Sequence, residues 1–208
     1  MITEETIRQV KEIKQSFRLL MNGEASRQMR ESGLGYHLNW GVSLNDLKAM
    51  ANQYPKDEQL AIELWKENIR ECKILATMLM PLEKMTPELT ELWMEQAGTQ
   101  EIVELLAFYL LRNLDFAIVL AFEWIASTDD LHQIGGYHVI SRRLTDGMVP
   151  DDRGICEIID QAVSAMSDKN LAVRHSAYNC LNRLALLGED YASIVDSALE
   201  KCGLSQKQ

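Results

Sequence analysis

Six side chains in the last third of the chain, Arg142, Arg143, Lys169, Arg174, His175 and Arg183, are of the types that hold phosphate groups. Lined up along one groove, they would grip a nucleic-acid backbone by charge without reading base edges. Scattered over a surface, they would be ordinary solvated groups. Other chemistries find less support. His132 and His138 are six positions apart, so they do not share a helix face at the i, i+4 spacing of a zinc helix, and no carboxylate completes a cluster. The four cysteines, Cys72, Cys156, Cys180 and Cys202, form no Cys-x-x-Cys pair and read as reduced structural thiols. Gly135-Gly136 carries no phosphate-loop signature and reads as a kink or a close helix contact. Neither metal nor cofactor is expected.

The overall charge opposes a nucleic-acid ligand. The 208 residues carry a formal net charge of -10, whereas phosphate neutralisation rewards a basic surplus. Between Glu83 and Glu104 six acids (Glu83, Glu88, Glu91, Glu95, Glu101, Glu104) face Lys84 alone, and a phosphate backbone would be repelled there. A local basic strip on an acidic protein can still hold a duplex.

These side chains must be positioned by helices. Hydrophobic residues make up 47% of the chain and only 4 prolines interrupt it, which suits a folded domain and excludes disorder. Helical periodicity predicts elements over about 3–21, 24–31, 44–53, 56–80, 87–97, 100–112, 115–127, 129–144, 152–166, 169–187 and 189–202. Ser43 with Asp46, and Thr86-Pro87-Glu88, have the chemistry of helix starts, Pro81 stops a helix, and Gly98 ends one. Tryptophans and methionines at helical spacing read as core. Helices joined by short connections predict antiparallel pairs in series, an all-α solenoid, with residues 1–208 as a single domain. The polar N-terminus lacks leader character and no apolar run approaches the roughly 20 residues that span a bilayer, so a cytoplasmic location is expected.

Residues 61–76 pass through Leu64-Trp65, Glu71 and Leu75-Ala76, and this helix is similar to the Leu-Trp, Arg-Glu, Leu-Ala helix of the DNA alkylation repair family. The aromatic, glycine-containing turn from Tyr36 to Val42, Trp93 in the next helix and Trp124-Ile125-Ala126-Ser127 also resemble that family, in order and spacing, over about residues 3–200. The resemblance implies a solenoid of HEAT-like helix pairs whose active members cradle duplex DNA and remove cationic N3- and N7-alkylated purines.

That reaction needs little acid catalysis, because the charged base is already a good leaving group. A carboxylate near the sugar and aromatic faces near the cation are its natural stabilisers. The family's working pieces are an aromatic and an acid four residues later, an arginine on a following helix and a late tryptophan. By position they fall on Gln100, Glu104, near Ile134 and near Asn179, with Tyr178 one position from the last. Only the acid is kept, as Glu104. The resemblance therefore implies either a divergent alkylpurine glycosylase or a non-catalytic relative that binds duplex or branched DNA. A protein-interaction scaffold is the alternative, since solenoids offer extended binding surfaces and fold alone does not fix function.

Overall fold

The structure is a computed structural model that describes residues 3–201 and 203. Twelve α-helices occupy most of the described residues, and the nearest approach to a strand among them is one isolated bridge between Leu38 and Ile69. No helix among the described residues is long and apolar enough to cross a membrane. The chain divides into two compact units, Met1–Asn113 and Leu114–Gln208.

Unit 1 holds α1 (Glu4–Leu20), α2 (Gly23–Glu31), α3 (Leu44–Ala51), α4 (Glu58–Lys66), α5 (Arg70–Leu79), α6 (Pro87–Ala97) and α7 (Gln100–Tyr109). Most helices start on a side chain that accepts a hydrogen bond from a backbone N–H of the first turn: Thr3, Asn22, Ser43, Asp57, Thr86 and Thr99. Each such cap stabilises its helix by about 1 kcal/mol. Gly98 closes α6 at φ 75°, the left-handed conformation that glycine adopts without Cβ strain. Helix α4 pairs with α5, α1 packs on α4, and α3, α5 and α7 stack in succession. The apolar faces meet in a core that includes Phe17, Leu47, Leu64, Ile74, Trp93 and Leu106. Trp65 and Trp93 stack at its heart, with ring centroids 4.2 Å apart and planes 3° from parallel.

The helix expected over 56–80 is two helices. Glu67 and Ile69 are extended, and the loop before α3 supplies what the helix gives up: the Arg70 N–H donates to Leu38 O at 3.0 Å. No glycine or proline marks this break, because its cause lies some thirty residues earlier in the chain. The helix expected over 100–112 also stops early, at Tyr109, and continues as a 3-10 turn at Leu111–Asn113.

Unit 2 holds α8 (Ala117–Ile125), α9 (Asp130–Thr145), α10 (Asp152–Ala165), α11 (Leu171–Ala185) and α12 (Glu189–Lys201). Helix α8 pairs with α9 and α10 with α11, and α9 stacks on α11. These serial pairs are the HEAT-like arrangement expected. Gly135-Gly136 is a close contact, since α9 runs on through it: a Cβ on Gly136 would lie 2.7 Å from Ala121 O and 2.8 Å from Ile125 Cγ2. Gly136 lets the backbones of α8 and α9 approach closely.

Of the cysteines, Cys72 and Cys180 are buried and Cys156 is exposed, while Cys202 lies outside the described residues. Burial pushes the Cys180 thiol up to about 12, which keeps it protonated and unreactive at neutral pH.

Candidate nucleic-acid interface

Helix α9 buries Ile134, Tyr137, Ile140 and Leu144, and that pattern fixes where its polar residues go. His138, Ser141, Arg142 and Thr145, at i, i+3, i+4 and i+7, form one stripe. Helix α11 buries Val173, Ala177, Cys180, Leu181 and Leu184, leaving Asn179, Asn182, Arg183 and Leu186 on a stripe of their own. Because α9 and α11 are stacked, the two stripes meet and enclose a groove of about 410 Å³. Arginines stand on both sides, with hydroxyl and amide groups between them, and no Asp or Glu is among the described residues that line it. Arginine forks and neutral donors suit an anion with several acceptor oxygens.

The six basic candidates divide on these grounds. Arg142 and Arg183 come together in the groove. His175 lies one turn before Asn179 and two before Arg183 on the exposed side of α11, which extends the same stripe. Arg143 points elsewhere, its Nη2 3.4 Å from Asp115 Oδ1. Arg174 braces the start of its own helix, Nη1 donating to Asp168 O at 2.7 Å. Lys169 is exposed in the connection between α10 and α11 and does not line the groove. His138 lines it, whereas His132 sits with Nδ1 2.8 Å from Asp129 Oδ1.

The carboxylate Glu104 lies on α7 in unit 1, half-buried, accepting a hydrogen bond from Gln100 Nε2 at 2.6 Å. The side chain standing where the family carries an aromatic is thus a direct partner of the acid. An aromatic is present one turn after Glu104 instead of one turn before: Phe108, with the Arg112 guanidinium 5.5 Å from its ring centroid. A ring face already next to a cation is a poor seat for a cationic base. Ile134, near the family's arginine position, is buried among apolar side chains, while Asn179 opens into the α9–α11 groove and Tyr178 is half-buried.

One cluster escaped the sequence analysis. Arg70, 4% exposed, reaches from α5 to Glu101 on α7 with two parallel bonds, Nε to Oε2 at 2.8 Å and Nη2 to Oε1 at 2.6 Å. Its Nη1 donates to Val42 O at 3.1 Å, and the Tyr36 hydroxyl donates to Glu101. The neighbouring Glu71 is fully buried and accepts from the Trp40 and Val42 backbone N–H groups at 3.0 and 3.3 Å. Burial works to raise the Glu101 carboxyl, but bonds from Arg70 and Tyr36 outweigh it and hold the group below the usual carboxylate range. Arg70-Glu71 is the Arg-Glu pair of the family-like helix, and here it clamps the 36–42 turn. The signal was available in the pairing of a basic and an acidic residue at the start of a strongly apolar helix.

Comparisons with known proteins agree with this architecture. No curated protein matches the chain. Among solved structures it is similar to one described as a new family of proteins related to the HEAT-like repeat DNA glycosylases with affinity for branched DNA structures. The identity is 19%, the TM-score 0.79, and the match covers 91% of this chain and 80% of that one. The DNA alkylation repair enzyme model matches residues 13–183, well over half of the sequence, and spans both the Arg70-Glu71 clamp and the α9–α11 groove. With helix pairs, signature turn and family model in accord, the chain belongs to the DNA alkylation repair enzyme family.

Proposed function

We propose that this chain binds DNA through its phosphate backbone at the α9–α11 groove and does not excise bases. The observation that carries the reading is the convergence of Arg142 and Arg183, from two stacked helices, on one groove furnished with neutral donors and lined without carboxylates among the described residues. Two arginines and their amide neighbours can hold phosphates in register, and phosphate contacts carry no sequence information, so DNA held in this way is selected by its structure rather than its sequence. The structural relative is described by its affinity for branched DNA, and a junction, which presents phosphates from two strands at close range, fits a narrow two-sided groove. Against base excision stand the Gln100 partner of Glu104 and the Arg112 charge beside Phe108.

The test is fluorescence anisotropy with a four-way junction and a linear duplex of equal length over a salt series. The junction should bind more tightly, and Arg142→Ala with Arg183→Ala should cost about tenfold or more and flatten the log–log salt slope by about 2, one per lost phosphate contact. Unchanged affinity in the double variant would move the DNA site elsewhere. Release of 3-methyladenine or 7-methylguanine from alkylated duplex, abolished by Glu104→Gln, would overturn the non-catalytic half of the proposal.

A further inference from the structure

Unit 1 carries a second groove, of about 580 Å³, between α1 and the turn that the Arg70-Glu71 clamp holds in place. Its apolar surface comes from Ile7, Val10, Leu38, Trp40 and Ile69. Two of these are open to solvent, Ile7 at 60% and Leu38 at 40% of their full exposure. Along the same wall Lys11, Lys14 and Arg18 recur at i, i+3 and i+7 of α1, and the Arg18 guanidinium stands 5.9 Å from the Trp40 ring centroid. Glu67, the acid in the lining, is engaged by Lys14 at 2.8 Å. Lys11 and Arg18 have no carboxylate partner among the described residues. On a chain of net charge -10, this is a place where positive charge and exposed aliphatic surface coincide.

We propose that this groove docks an acidic amphipathic helix from a partner protein. The aliphatic floor would take Leu, Ile or Val side chains, and Lys11 and Arg18, roughly 10 Å apart along α1, match carboxylates spaced seven residues apart on a helix lying beside it. Single-stranded nucleic acid would use the same charges but needs flat aromatic platforms for successive bases, and the floor offers one ring among four aliphatic side chains. The two grooves share no lining residue, and the inference does not depend on the DNA reading.

The probe is a fluorescent 16-residue peptide with Leu and Glu on adjoining helical stripes, measured by anisotropy with the full chain. It should bind, and a peptide of the same composition with the stripes scrambled should bind at least tenfold more weakly. Lys11→Glu with Arg18→Glu should reduce binding at least tenfold, and replacing the peptide's glutamates by lysines should restore it to that variant. Both positions are exposed, so an unchanged thermal transition serves as the folding control. Equal binding of the scrambled peptide, no binding of either peptide, or a groove that prefers an oligothymidine and loses it on charge reversal would each overturn the proposal. So would sedimentation showing that charge reversal dissolves a self-association of the chain.

Discussion

The Arg70 cluster of unit 1 and the Arg142–Arg183 groove of unit 2 are built from the same residue type and differ in what their charges meet. Arg70 is 4% exposed and spends its donors on Glu101, Val42 O and Glu71. Arg142 and Arg183 stand on facing stripes of an open groove whose described lining holds no carboxylate. A guanidinium satisfied inside the fold sets the shape of a turn. A pair set across an open groove stays within reach of solvent. Family resemblance drew attention to the helix that carries Arg70, and the geometry gives that helix a structural task; the binding chemistry we propose lies instead on α9 and α11.

Three changes would break or sharpen this contrast. The largest effect is expected from Arg70→Ala, which strands Glu71 and Glu101 without their cation and should destabilise the chain by about 3 kcal/mol, read as the shift in urea midpoint. Next comes pH. Glu101 has a depressed folded pKa, so the stability it contributes is complete above its unfolded value, about 4.3, and is lost as pH falls through the lower folded value. Glu101→Gln should therefore lower the thermal midpoint at pH 7 and narrow its gap from the parent as the pH falls below about 4; a gap that widened on acidification would reverse the assigned sign. The smallest effect on stability belongs to Arg183→Ala, within about 0.5 kcal/mol of the parent because the side chain is exposed. If it destabilised the chain as much as Arg70→Ala, the division into structural and groove-facing arginines would fail.

Much of the fold could be read from the chain. Ser43 and Thr86 cap helices where their hydroxyls and following acids said they would, and the apolar spacing gave the helix pairs. The break at 67–69 could not be read, because a loop thirty residues away replaces the helical hydrogen bonds there without any local breaker. For the basic strip, the residue types were legible but not their grouping. Arg142 and Arg143 are neighbours in sequence and about 100° apart around α9, so one enters the groove and the other reaches Asp115. The buried positions of α9, Ile134, Tyr137 and Leu144, held that phase information, and counting from them would have separated the two. That α11 would supply the opposite wall required knowing which helices stack, and no spacing within either helix states it.

The stacked indoles of unit 1 have an optical consequence. Trp65 and Trp93, stacked with centroids 4.2 Å apart and nearly parallel planes, are close enough for their electronic transitions to couple, whereas unit 2 has Trp124 as its lone indole. A coupled circular-dichroism signal in the indole bands would therefore originate in unit 1, where its loss on heating or in denaturant would report the parting of α4 and α6. Followed beside the amide signal of the whole chain, it would show whether the two halves melt together or in turn, with no label attached.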